Sequence, residues 1–225
     1  LIVTVLMAII LLMLSWLYSS ESGLQWLMAR LTPFQPVELT IGKVSGTIES
    51  GIHLADLSWQ QDQQEVKATA LEINCQWWHL IDGLISCQSL ALDTLTVSSS
   101  DDTASQPKDN SWPELGTVKL PIAVKVKKIN VANLQYNQLS STANIQHHVS
   151  ELSVKKLALV GSKVSVASLA LTFDEHDIKA SGYIDMRKRW QHLLDLNVLG
   201  AKLSAHAKSK GSINEGSQLT LQLQS

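Results

Sequence analysis

The chain has 225 residues, of which 45% are hydrophobic and 17% charged, and its formal net charge is −2 at pH 7. At about 150 residues per domain, this length allows one large domain or two small ones. The near-balanced charge excludes the basic face that nucleic-acid binding requires, the apolar fraction excludes a disordered chain, and two cysteines exclude a disulfide-dense miniprotein.

Residues 1–18 predict a transmembrane signal anchor. They read LIVTVLMAIILLMLSWLY, and no charged residue precedes Glu21. As a helix this run would rise about 27 Å, close to the roughly 30 Å hydrocarbon core of a bilayer, with Trp16 and Tyr18 at headgroup level. A cleaved signal peptide and a buried globular helix are the alternatives, although no small-x-small cleavage site follows. The missing initiator Met and the strand pattern that runs to Ser225 predict a fragment cut at both ends.

Residues 19–37 predict an amphipathic adapter helix followed by a turn. Ser22 is a candidate N-cap, an apolar stripe starts at Leu24, and Pro33 ends the helix. We expect this helix to connect the membrane anchor to the body of the protein or to plug one end of the fold.

Alternating apolar and polar residues dominate from residue 38 onward, which is the pattern of half-buried β-strands. The apolar phase slips by one residue within several runs, for example between Leu54 and Leu57 and between Leu92 and Leu95. Such a slip is typical of a β-bulge, which keeps the apolar set on one side and bends the strand. The sequence therefore predicts a mainly β fold with one or two short helices, built on a curved, elongated antiparallel sheet.

A polar, breaker-rich stretch divides this β region. Residues 98–114 predict a linker or loop between a first β segment, 38–97, and a second β segment, 115–225. Within the first segment, the sequence WHLIDG predicts a single helical turn closed by Gly83.

Cys75 and Cys87 lie on either side of that turn. Two cysteines without a CxxC spacing make a poor zinc site, even with His79 nearby. In an oxidising periplasm they should form one disulfide, worth about 3 kcal/mol in the chain-entropy model. Two unrelated buried thiols are the alternative.

The sequence contains no GxSxG, HExxH, P-loop or GxGxxG motif, so we expect no enzymatic activity and no cofactor. The acidic run at Asp174–Asp177 predicts a solvated hairpin tip rather than a metal site. His147 and His148 are neighbours in a strand and should point to opposite faces. The basic run at residues 187–189 is too short for a nucleic-acid patch and predicts a turn.

The apolar inner face is the remaining candidate for function. A single curved sheet without a partner layer leaves an apolar trough, which in water has to hold something apolar. A sandwich core has the same periodicity and is the alternative. Candidate lining residues on the apolar phase of their strands are Leu71, Ile73, Leu120, Ile122, Val124, Leu194 and Leu196.

Three segments follow one another in the chain: an apolar N-terminal anchor, IGKVSGTIESGIHLADLSW and ALEINCQWWHLIDGLISCQSLALDTLTV. In this order they resemble the N-terminal part of the TamB family. These are the inner-membrane subunits of the translocation and assembly module, within the AsmA-like group of bridge-like lipid-transfer proteins. The resemblance is specific over residues 1–97 and generic beyond them.

This resemblance implies a single-pass inner-membrane protein whose body crosses the periplasm of a Gram-negative bacterium as a β-taco. Its apolar groove would carry phospholipid acyl chains toward the outer membrane, or support the assembly and secretion of outer-membrane proteins such as autotransporters. It further implies an outer-membrane barrel partner of the Omp85 type, TamA, which a C-terminal region outside this chain would contact. A periplasmic scaffold with a closed β core that acts by protein–protein docking is the alternative function.

Overall fold

The structure is a computed structural model that describes residues 2–31, 38–61, 64–101, 120–140, 144–173, 176–187, 190–200, 204–213 and 216–224. Two helices precede eleven strands, and a 3-10 turn, Trp77–Asp82, lies between the third and fourth strands. The elements are α1 (Ile2–Ser19), α2 (Glu21–Leu31), β1 (Glu38–Thr47), β2 (Gly51–Gln61), β3 (Gln64–Gln76), β4 (Leu84–Asp101), β5 (Ala123–Ser140), β6 (Asn144–Val160), β7 (Lys163–Phe173), β8 (His176–Asp185), β9 (Gln191–Leu199), β10 (Ser204–Ser212) and β11 (Gly216–Gln224).

All eleven strands form one sheet, in which they follow one another in chain order. Nine of the strand pairs among the described residues are antiparallel, and β4 pairs with β5 in parallel. A parallel pair needs a long return connection rather than a tight turn, and the polar stretch between Asp101 and Ala123 supplies it. The predicted mainly β, curved sheet is confirmed, with this one parallel junction added.

Two sequence-based boundaries need correction. Ser98 to Asp101, predicted as the start of the linker, belong to β4, because β3 and β5 both offer backbone partners to the serine run. The strand predicted to contain Leu120 and Ile122 begins only at Ala123. Pro121 lacks a backbone N–H and cannot donate to a ladder, so a strand start just beyond it is expected. The two predicted β segments are parts of one continuous sheet.

The predicted phase slips are irregular positions that drop out of the strand ladder, and they align across neighbouring strands in two lines. The register itself shifts, as at a β-bulge, only at three of the described places: between Asn74 and Cys75, Ser150 and Ser153, and Val166 and Leu169. Left-handed backbone marks four of the irregular positions, with φ of 53° at Asp56, 51° at Ala70, 54° at Glu151 and 54° at Lys156. Each irregular position turns the following side chains over by one, so the apolar side chains stay on one face of the sheet. The first line crosses the sheet at Asp56, Ala70, Asp93, Ala132 and Glu151, and the second at Gln88, Lys127, Lys156 and Ala167.

The sheet is open. Its two end strands, β1 and β11, each pair with one neighbour and not with each other. The accessible surface of the chain is 15804 Å², whereas a compact monomer of 24.7 kDa exposes about 10,000 Å². Val126 is nevertheless only 4% exposed, although no second sheet covers it in the described residues. Neighbouring side chains on the same face enclose Val126, because the sheet curves toward that face and brings them together.

The two helices meet at a sharp bend, and α2 is capped differently from the sequence prediction. The side chain of Ser20, not Ser22, is the N-cap, and its Oγ accepts a hydrogen bond from the Gly23 backbone N–H at 3.0 Å. Neither described helix is by itself long and apolar enough to span a membrane. Thr4–Ser19 and Glu21–Met28 together have the length and composition of a span, with a bend of 92° between them.

The bend depends on the missing side chain of Gly23. A Cβ there would lie 2.7 Å from Leu17 Cα and 2.8 Å from the Trp16 carbonyl oxygen, and backbone atoms at these distances cannot be avoided by a rotamer change. We expect Gly23→Ala to push the helices apart. Pulsed electron paramagnetic resonance between spin labels at Leu6 and Arg30 should report a longer distance, toward the roughly 36 Å of a straight helix of that length.

Ser22→Ala is the matched control for this prediction, since Ser22 is exposed on the same turn. It should leave the distance between the labels unchanged. An unchanged distance in Gly23→Ala as well would contradict the proposed steric origin of the bend.

Candidate functional site

An unbroken row of small and large apolar side chains crosses the sheet from β2 to β11. Each member is the direct register partner of the next, so all ten lie on the same face. Nine inter-strand steps of about 4.8 Å make the row about 43 Å long. This central row consists of Ile52, Ile73, Leu90, Ile129, Val154, Leu169, Ala180, Leu196, Ala207 and Leu221.

Three further rows flank the central row on the same face, and we call all four together the apolar face. Their polar members are few, and His192 Nε2 and Ser209 Oγ share a hydrogen bond at 2.8 Å. The flanking rows contain Leu54, Leu71, Leu92, Val131 and Leu152; Cys75, Cys87, Val126, Leu157, Val166, Gly182, Leu194, Ser209 and Leu219; and Ile85, Val124, Leu159, Val164, Ile184 and His192.

The opposite face of the sheet is polar. His53 Nδ1 lies 3.2 Å from Glu72 Oε1, and His206 Nε2 lies 2.9 Å from Asp195 Oδ1. Both pairs are well exposed. The row next to the central row on this face reads His53, Glu72, Ala91, Asn130, Ser153, Ala170, Lys179, Asn197, His206 and Gln222. Charge and apolar surface are therefore separated onto the two faces along the whole sheet.

Five of the seven predicted lining residues lie on the apolar face: Leu71, Ile73, Val124, Leu194 and Leu196. The other two, Leu120 and Ile122, precede β5, and Ile122 is exposed. Prediction from the sequence missed several central-row members, among them Ile129, Val154 and Leu169. The same period-two pattern could have found them if the irregular positions had been placed first.

Helix α2 covers the first strands of the apolar face and leaves the later strands uncovered. Leu24 is 1% exposed and packs against Ile52 and Leu54, with Met28 beside it. Farther along the sheet, Leu196 is 37% exposed. Helix α2 therefore covers one end of the apolar face, and its role as an adapter to the membrane stays a prediction.

A cavity of about 190 Å³ opens on the apolar face between β7 and β9. Its walls are almost entirely apolar, and Leu194 is among the lining residues. The other apolar side chains that line it are Val164, Val166, Leu169, Ala180 and Ile184. The face thus offers space for an aliphatic chain next to a predicted lining residue.

A disulfide joins Cys75 and Cys87. The two residues are direct register partners in β3 and β4, and both are buried on the apolar face against Val126. The bond closes the segment that contains the 3-10 turn, and Gly83 ends this turn in the left-handed conformation with φ 69°. Of the two sequence-based alternatives, the structure contains the disulfide.

No group of His, Cys, Asp or Glu among the described residues is arranged to hold a metal ion. His147 pairs with Tyr136 on the apolar side and His148 with Gln135 on the polar side, as expected for neighbours in a strand. Asp174 and Glu175 of the acidic run lie outside the described residues. A cavity of about 530 Å³ on the polar face follows the first line of irregular positions and is lined by Asp93 and Glu151 among others.

The end of β8 carries a forked ion pair. Arg187 Nη2 lies 2.6 Å from Asp185 Oδ2, and Arg187 Nε donates to Asp185 Oδ1 at 2.9 Å. Hydrogen bonds from the guanidinium hold the pKa of Asp185 below its ordinary 3.8, against a smaller upward effect of burial, and Lys163 adds to the lowering. Of the basic run predicted as a turn, residues 188 and 189 lie outside the described residues.

A lowered folded-state pKa means that the Asp185 carboxylate stabilises this turn above about pH 4 and loses that effect as the pH falls through the folded value. We expect Arg187→Met to raise the pKa of Asp185. An NMR titration of its carboxyl resonance in both proteins measures the change. The same midpoint in the two proteins would contradict the role of the ion pair.

Comparison with known proteins places this arrangement in a family. The family model described as TamB, N-terminal domain, matches residues 10–160 and 99–225. No curated protein and no solved structure gives a significant match. Because the matched ranges together cover nearly the whole chain, the protein belongs to the TamB N-terminal domain family.

Proposed function

We propose that the apolar face conducts phospholipid acyl chains away from the inner membrane, across the periplasm, toward the outer membrane. The observation that carries this proposal is the central row, about 43 Å of continuous apolar side chains in an open sheet. Exposed apolar surface of this extent is rare in a soluble protein unless it binds an apolar partner. The charged residues lie on the other face, so an acyl chain moving along the row meets no charge.

Lipid fits this face better than protein does. A polypeptide laid on aliphatic side chains would leave its backbone N–H and C=O groups without partners, which costs several kcal/mol per group in a dry site. An acyl chain has no such groups. Protein cargo would instead pair with a free edge of the sheet, as in β-strand addition, and it is the second candidate because β1 and β11 each have one unpaired edge.

The proposal includes a membrane anchor and a far partner. We propose that α1 is an uncleaved signal anchor in the inner membrane, with the sheet in the periplasm of a Gram-negative bacterium. Its side chains are exposed and apolar over several turns, and a disulfide on the sheet suits an oxidising compartment. An outer-membrane barrel of the TamA type would receive the lipid at the far end.

Photocrosslinking in cells tests lipid against protein cargo. A photoreactive side chain at Leu196, on the apolar face, should capture phospholipid. The same side chain at Asn197, the next residue on the polar face, is the matched control and should not. Capture of protein at Leu196 with no lipid would replace the conduit with the protein-assembly role.

A further inference from the structure

We propose that the 3-10 turn, Trp77–Asp82, contacts the surface of the bilayer from which α1 emerges. This contact, which we call the seat, would hold the entrance of the apolar face against the bilayer. The inference rests on the proposed function in one respect, that α1 spans the inner membrane. It adds a second membrane contact, which belongs to the sheet rather than to the anchor.

The turn presents large apolar side chains to solvent. Trp78 is 67% exposed and Ile81 is 88% exposed, and Leu80 between them is exposed as well. A soluble protein rarely exposes three such side chains on six residues without a partner. The combination of Trp with Leu and Ile at one exposed tip is typical of a segment that enters the interfacial layer of a membrane.

The position of the turn indicates which surface it contacts. The ring centroid of Trp78 lies 4.9 Å from that of Tyr18, one of two aromatic residues in the last turn of α1. Tyr and Trp at the end of a membrane helix favour the headgroup level, so Trp78 lies at that level too. A 3-10 helix rises about 2 Å per residue, which keeps Ile81 within about 6 Å of Trp78 along the turn.

The turn is held firmly at both ends. Cys75 and Cys87 are bonded on either side of it. The Gly83 N–H donates to the Leu80 carbonyl at 3.0 Å, and the Gly83 carbonyl accepts from the Ala123 N–H at 2.8 Å. The apolar tip is therefore preorganised, and little conformational entropy is lost when it enters the interface.

The charge of the turn favours a zwitterionic phospholipid surface. Its ionisable side chains are His79 and Asp82, whose Nδ1 and Oδ2 lie 4.0 Å apart. It has no lysine or arginine that would select anionic headgroups. The disulfide next to the turn lies on the apolar face, and Ile73 and Leu90 of the central row follow it. Because Ile73 packs against the cluster that α2 covers, a lipid that leaves the bilayer at this turn meets the open part of the row at Leu90.

Photocrosslinking of the full chain in phosphatidylcholine nanodiscs tests whether the 3-10 turn contacts the bilayer. A photoreactive residue at Ile81 should capture lipid. Ile213 is the matched control, because it is also an exposed isoleucine in a turn, and this turn joins strands at the same end as Trp77–Asp82. It lies six strands farther on, about 29 Å away, and should capture at least tenfold less lipid than Ile81.

A double variant, Trp78→Ser with Ile81→Ser, separates bilayer contact from lipid in transit. Both side chains are exposed, so the sheet and its disulfide should form normally. Without the seat we expect lipid capture at Leu196 to fall about tenfold or more, whereas Ile213→Ser should not change it.

The results distinguish this inference from the proposed function. Lipid capture at Leu196 with none at Ile81, or unchanged capture at Leu196 in the double variant, overturns the seat and leaves the conduit standing. Lipid capture at Ile81 with none at Leu196 supports the contact between the turn and the bilayer, and it overturns lipid conduction along the apolar face.

Discussion

Leu196→Asp is expected to abolish the proposed lipid conduction while the protein accumulates normally. Leu196 lies in the central row and is 37% exposed, so water hydrates a carboxylate there and the fold tolerates it. An acyl chain that passes over this carboxylate has to remove the water that hydrates it. Desolvation of an unpaired charge costs several kcal/mol, and each 1.4 kcal/mol is a factor of ten in occupancy. The measurement is protein abundance together with envelope sensitivity to detergent.

Asn197→Asp provides the matched control, because it adds the same charge one residue along β9 on the polar face. It should leave the envelope intact. Loss of the protein in Leu196→Asp would indicate a packed core instead of an open groove. Normal abundance with a wild-type envelope, repeated at Leu194 and Ile129, would refute the groove assignment.

Replacing both cysteines, Cys75→Ala with Cys87→Ala, should lower the free energy of unfolding by about 3 kcal/mol. The disulfide restricts the unfolded chain by closing a loop with a sequence separation of 12. It also joins β3 to β4 beside the 3-10 turn, so its loss should loosen this turn first. Chemical denaturation followed by circular dichroism measures the change, and the wild-type protein under reducing conditions should behave like the double variant.

Ser86→Ala is a suitable control for the disulfide variant. Ser86 precedes Cys87 on the opposite face of β4, and its replacement should change the unfolding midpoint little. Equal midpoints for the wild type and the double cysteine variant, with the disulfide shown to be present in the wild type, would contradict the expected contribution.

Local sequence pattern determined the type of most elements in this protein. The period-two alternation predicted strands, and the one-residue slips near Leu54 and Leu92 mark the places where Asp56 and Asp93 drop out of the strand ladder, although the register does not shift there as the predicted β-bulges would require. The apolar N-terminal run predicted α1, and WHLIDG with Gly83 predicted a helical turn. These features depend on residues a few positions apart, because strand and helix periods and the left-handed glycine are local backbone properties.

Tertiary structure decided how these elements meet. Alternation is the same whether an apolar face packs on a second sheet or stays open, so periodicity could not distinguish a sandwich from the single sheet. The parallel pairing of β4 with β5, the strand status of Ser98 to Asp101 and the capping of α2 by Ser20 likewise depend on neighbours in space. The central row exists because irregular positions on separate strands align with one another, and their alignment is set by the pairing of whole strands, which no short window of sequence contains.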